Sequence, residues 1–166
     1  MKIKEMFETK STVMSLEIFL PKLTSPVETI YATLDALSDI KPDFISVTYG
    51  AGGKAKDRTV EIASKIKNEY RIESLAHLTC ISATKEDIKK AFADMRANNI
   101  ENVLTLRGDI PEDPNFQFPN PLQYEYAFDL VREAKAEKSF CIGAACYPEK
   151  HIECESKVQD IKYLKQ

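Results

Sequence analysis

Apolar residues in this chain fall into two rhythms that alternate from end to end. Short β-prone runs at 13–20, 43–50, 73–80, 102–109 and 139–147 are separated by stretches in which apolar residues return every three or four positions. The first such stretch carries Val27, Ile30, Tyr31, Leu34 and Leu37, a single apolar stripe on a helix. It opens on Ser25, Pro26, Val27 and Glu28, a capping box with proline at the first helical position. The second stretch carries Val60, Ala63 and Ile66. The third opens on Thr84-Lys-Glu-Asp87, another helix-start signature, and continues through Ile88, Ala91, Phe92 and Met95. After the last run, Val158, Ile161 and Leu164 begin a further helix. Five strand-then-helix units predict a parallel α/β sheet with right-handed crossovers.

Two architectures fit this order. Five units in about 150 residues suit a flavodoxin-like doubly wound sheet. They also make roughly the first five units of a (βα)8 TIM barrel, which needs about 250 residues. The final helical pattern stops at Gln166 without a glycine or other C-cap, so residues 1–166 read as one domain cut from a longer pattern.

Composition narrows the classes of function. With 43% hydrophobic and 30% charged residues over 166 positions, the chain has an ordinary globular make-up. Its net charge of -3 leaves no basic footprint, so nucleic acid is not an expected partner. No apolar stretch approaches the ~20 residues of a membrane span, and the charged first ten residues lack the apolar centre of a signal peptide. A cytoplasmic location is expected. Cys80, Cys141, Cys146 and Cys154 form no Cys-x-x-Cys pair, and with only two histidines there is no zinc set. They read as free thiols.

A parallel sheet collects its strand ends at one edge, where such folds keep their chemistry. Here the runs end in Thr48, Tyr49 and Gly50, in His77 and Thr79, and in Arg107, Gly108 and Asp109. Glu17 sits between Leu16 and Ile18 within the first run. A carboxylate in a sheet covered on both faces is costly as an ion, and burial favours its protonated form, which makes Glu17 a candidate general acid. The alternative is a glutamate on a solvated edge or paired with a lysine. Arg107-Gly108-Asp109 reads either as a ligand-facing tip or as an Arg–Asp pair stitching a turn. His77 is a core histidine or a ligand; His151 is a solvated loop residue or part of a site. The glycines at 50–53 match neither dinucleotide nor P-loop patterns and read as a tight turn, with Lys54, Lys56 and Arg58 as a solvated face. The loop from Asp109 to Pro121, with four prolines and two phenylalanines, reads as a lid or binding loop.

Six segments in order carry a resemblance: Ser15-Leu-Glu-Ile-Phe-Leu-Pro21, Ser46-Val-Thr-Tyr-Gly-Ala51, Asp57-Arg-Thr59, Ala76-His-Leu-Thr-Cys80, Leu106-Arg-Gly-Asp-Ile-Pro111 and Ala145-Cys-Tyr-Pro-Glu-Lys-His151. Together they resemble the methylenetetrahydrofolate reductase family, flavoenzymes that reduce methylenetetrahydrofolate to methyltetrahydrofolate. The resemblance implies a (βα)8 barrel, of which this chain holds about the first five units, with FAD at the C-terminal ends of the strands. It implies that Glu17 is the general acid that protonates the folate N5 nitrogen. Asp109 is implied to lie beside both flavin and pterin, with a part in catalysis and in binding both. FAD contacts are implied at Thr48, Tyr49, Ala51, His77, Arg107, Gly108, Asp109, Ala127, Tyr147, His151 and Asp160. Hydride transfer would be ping-pong, with NADH or NADPH reducing the flavin before folate takes its place. The chain departs from family usage at Ile18, Leu20 and Tyr163. The last three barrel strands are missing, which implies exposed strand edges, self-association into a homo-oligomer and little or no reductase activity from the chain alone. The competing readings are a flavodoxin-like electron carrier or nucleotide-binding domain, and a catalytically silent fragment.

Overall fold

The structure, a computed structural model, describes residues 1–20, 26–50 and 55–165. Its elements alternate as expected: helix α1 (Ile3–Thr9), strand β1 (Ser15–Ile18), α2 (Glu28–Leu37), β2 (Phe44–Val47), α3 (Ala55–Asn68), β3 (Glu73–Thr79), α4 (Lys85–Ala97), β4 (Asn102–Leu106), α5 (Ala127–Ala136), β5 (Cys141–Ala144) and α6 (Lys157–Leu164). The strands are shorter than the apolar runs because each run ends in residues that leave the ladder. Arg107, Gly108 and Asp109, for instance, lie beyond β4.

All five strands are parallel, in the order β1-β2-β3-β4-β5. A doubly wound sheet reverses its strand order at a switch point and covers both faces with helices. This sheet does neither. Its register puts Ile18, Val47, Ala76, Val103 and Ile142 on one face, and that face alone carries the main core. Ile30 and Leu34 of α2, Ile62 and Ile66 of α3, Ile88, Phe92 and Met95 of α4, and Leu130 of α5 all pack there. Most of the stripes read at 27–37, 60–66 and 88–95 therefore pack on this core, whereas Val158, Ile161 and Leu164 of the last stripe are exposed; each fully buried side chain of this size contributes about 1.5–3 kcal/mol. Sequential parallel strands with helices on one face form an arc of a βα barrel, and the flavodoxin-like alternative is set aside by the strand order.

The helix starts follow the capping chemistry. Thr84 Oγ1 accepts from Asp87 N at 3.1 Å and Asp87 Oδ2 accepts from Thr84 N at 2.9 Å, fixing the first turn of α4. Ser25 of the other box lies outside the described residues.

Among the described residues the opposite face of the sheet is covered at its N-terminal end, by a helix the apolar pattern does not reveal. α1 is seven residues long, too short to declare a period, yet its Ile3 and Met6 pack on Phe44 and Leu75. Asn102 fastens it: its Oδ1 accepts from Ile3 N at 2.8 Å while its Nδ2 donates to Met1 O at 3.2 Å and to Ser74 O at 3.3 Å. The Met1 ammonium reaches Glu73 and Glu101, both at 2.8 Å, and Lys67 Nζ joins the same two carboxylates at 2.5 and 3.3 Å. The ammonium holds the Glu101 carboxyl below its ordinary range. One end of the open face is thus closed, and the other is left for chemistry.

Candidate active site

At the C-terminal end of the open face, β1, β2 and β3 bring three side chains together. Glu17 pairs in register with Ser46, and strand alternation puts both on the same face as His77. Ser46 Oγ donates to Glu17 Oε2 at 3.0 Å, with the Leu16 carbonyl at 3.5 Å as its more distant acceptor. His77 Nε2 lies 3.5 Å from the same Oε2. Ser46 and His77 are buried, but the Glu17 side chain is 43% exposed. The burial expected for Glu17 is not realised, because among the described residues α1 covers only the N-terminal end of this face and β1 is an edge strand. Of the two alternatives to a catalytic role, the solvated edge is real, but the partner is a buried histidine rather than a lysine. Burial holds the His77 imidazole below its ordinary 6.5, with the Glu17 charge opposing.

The tip of β4 forms a second cluster. Gly108 has φ +84°, which favours glycine, and a Cβ there would press at 3.1 Å on both Thr79 Cβ and Ile81 Cγ2. The turn does not rest on an Arg–Asp pair. Arg107 Nη1 instead binds Glu153 Oε2 at 2.6 Å and holds that carboxyl below its ordinary range. The guanidinium also sits 5.6 Å from the Phe118 ring of the proline-rich loop. Asp109 is exposed and makes no hydrogen bond or ion pair among the described residues. The loop is irregular and is tied back to the start of α4 through Lys85 Nζ to Pro121 O at 3.0 Å.

Glu153 connects this tip to the segment after β5. Its backbone N–H donates to His151 Nδ1 at 3.2 Å, His151 N–H donates to Asp160 Oδ2 at 2.8 Å, and the His151 and Tyr147 rings meet edge-on at 5.2 Å. Arg107, Tyr147, His151 and Asp160 thus belong to one connected group. Thr48 is engaged locally: its Oγ1 accepts from Leu20 N at 3.1 Å and its carbonyl accepts from Thr59 Oγ1 at 3.1 Å. Tyr49 packs against the main core. Ala127 opens α5, after the proline-rich loop. Ala51 lies outside the described residues. Ser46 and Glu153, both central to the geometry, had no signal in the sequence: a serine in a strand and a glutamate in a polar loop are ordinary.

The cleft of about 420 Å³ lined by Tyr31, Asp35, Lys65, Glu69 and Tyr70 lies elsewhere, on the outer helical layer. Its groups satisfy one another, with Lys65 paired to Glu69 and seated over the Tyr31 ring, and Tyr70 Oη donating to Asp35 at 2.6 Å. It is not an extension of the strand-end site.

A family model described as Methylenetetrahydrofolate reductase matches residues 2–166. The chain belongs to that family. It is 39% identical over 151 residues to the 5,10-methylenetetrahydrofolate reductase of Escherichia coli (strain K12), which covers 91% of this chain and 49% of that protein. Against the enzyme of the same name from Pectobacterium carotovorum subsp. carotovorum the identity is 38% over 154 residues, with the same coverage. The Arabidopsis thaliana protein named Methylenetetrahydrofolate reductase (NADH) 1 is 38% identical over 175 residues, or 99% of this chain and 30% of that protein. The chain spans about half the length of the bacterial relatives it matches. No helix among the described residues is long and apolar enough to cross a membrane.

Proposed function

We propose that this chain carries the acid and the flavin-binding tip of a methylenetetrahydrofolate reductase, with FAD as cofactor and NADH or NADPH as electron donor. The observation that carries the reading is the convergence of Glu17, Ser46 and His77 on the open face of a barrel arc whose chain matches the family along its length. The name of the Arabidopsis relative favours NADH as donor.

The tips suit the cofactor. Arg107 Nε is buried and makes no hydrogen bond among the described residues, so the guanidinium has a donor to spare for an anionic or carbonyl oxygen. Asp109 offers an unengaged carboxylate beside it. Thr48, Tyr49, Ala51, His77, Gly108, Ala127, Tyr147, His151 and Asp160 would complete the FAD contacts. FAD held there would supply the hydride chemistry between the nicotinamide and the folate one-carbon unit. Glu17 supplies the proton: because the product carries its methyl on N5, the proton goes to the other bridge nitrogen, N10, rather than to N5; the bond from N10 to the methylene carbon breaks, and the N5 iminium left behind is open to hydride at its carbon. Asp109 orients the pterin by accepting from its ring donors. The partially exposed Glu17 stays in reach of a ligand on the open face, while the α1 plug keeps solvent from its far end. Copies of the chain associate through the strand edges that β1 and β5 present among the described residues and through α6, whose Val158, Ile161 and Leu164 are all more than half exposed.

The test is a single turnover. Protein loaded with FAD and reduced with NADH is mixed with methylenetetrahydrofolate, and methyltetrahydrofolate is quantified. Product equal to the bound flavin is the expected result, and a chain that binds FAD yet forms no product would overturn the reading. Arg107→Ala should weaken FAD binding by about tenfold or more, the effect of losing one charge-assisted contact.

A further inference from the structure

We infer that Ser46 is a positioning residue for Glu17: its hydroxyl pins one carboxylate oxygen against the strand and leaves the other free to carry the working proton. The inference rests on the reading of Glu17 as the acid. Ser46 is buried, faces the same side of the sheet as Glu17 and donates to Oε2 at 3.0 Å. His77 stands 3.5 Å from that same oxygen. Both neighbours therefore crowd Oε2, and no hydrogen bond among the described residues involves Oε1. A glutamate side chain has three rotatable bonds and, at 43% exposure, little packing to hold it. The Ser46 hydrogen bond is the restraint that keeps this one on the open face at a fixed depth, as an acid must be to meet a substrate nitrogen within hydrogen-bond reach.

The surroundings allow a clean reading of this contact. The open-face positions around Glu17 and His77 are Phe44 and Ser46 of β2, Leu75 and Thr79 of β3 and Leu104 of β4, none of them charged. Glu73, at the far end of β3, is neutralised by Lys67 and the Met1 ammonium. Among the described residues Glu17 is accordingly the charge that acts on His77, raising its proton affinity against the effect of burial. The His77 titration is then a gauge of where the Glu17 carboxylate sits. The chain has only two histidines, so the ring signals of His77 and His151 are separable by NMR.

The experiment compares wild type, Ser46→Ala, Ser46→Thr and Glu17→Gln. If Ser46 pins the carboxylate, Ser46→Ala lets it swing into solvent, and the His77 midpoint falls towards that of Glu17→Gln. Ser46→Thr keeps the hydroxyl and the wild-type midpoint. In single turnover, Ser46→Ala should lower the rate at saturating folate by about tenfold, the loss of one hydrogen bond to a charged group, with little change in folate affinity. A His77 midpoint unmoved in Ser46→Ala would overturn the positioning role. Folate reduction that survives Glu17→Gln would instead overturn the assignment of Glu17 as acid, so the two failures are distinct.

Discussion

At the scale of single residues, the site is a set of ordinary side chains made specific by burial and register. His77 illustrates the sign of the resulting pH dependence. Its imidazole is held below 6.5 because burial disfavours the imidazolium, so the folded chain binds that proton less readily than the unfolded one. The stabilising effect is complete above pH 6.5 and is lost as the pH falls through the folded value. Urea midpoints measured from about pH 8 down to 5 should therefore drop more in wild type than in His77→Gln. Equal slopes would show that burial does not govern this histidine. Gly108 gives a second test. Alanine there must hold φ +84° and press on Thr79 and Ile81, which should cost about 1–3 kcal/mol in urea unfolding. Glu17 was legible as an exceptional residue because a charge inside an apolar run is rare, although the reason inferred, burial on both faces, was wrong. Arg107 was legible as a strand-end residue with two readings, a ligand-facing tip or an Arg–Asp turn; the Arg–Asp pair is absent among the described residues, and its actual partner, Glu153, lies 46 residues on and could not be guessed from spacing.

At the scale of elements, the alternation of strands and helices was legible from end to end, since periods of two and of 3.6 differ sharply over ten residues. The exception is α1. Its apolar positions are only Ile3 and Met6, and what holds it is a side-chain amide far along the chain in β4. Asn102→Ala would leave the buried Ile3 N–H without its acceptor, an expected loss of about 1–3 kcal/mol. Hydrogen exchange should then rise first across α1 and not across α4. Protection lost evenly over the chain would mean that α1 is not a separable plug. The choice between barrel and doubly wound sheet was beyond the sequence patterns because both share local order; they differ in which face the helices take, a property of pairing between strands.

At the scale of the whole molecule, five parallel strands curve with their helices outside, their N-terminal end plugged and their C-terminal ends bearing the polar groups. Among the described residues β1 and β5 each have a single neighbour, and α6 buries none of its side chains. Self-association should appear in sedimentation as species heavier than the 18.8 kDa monomer, growing with concentration; a single monomeric boundary throughout would contradict it. The central claim concerns Glu17. The most direct measurement follows the two half-reactions of FAD-loaded wild type and Glu17→Gln side by side. Reduction of the flavin by NADH should proceed at the same rate in both, while product formation from methylenetetrahydrofolate should fall at least about 100-fold in Glu17→Gln, the lower range for a general acid. Folate reduction that survives the substitution would show that the proton comes from elsewhere.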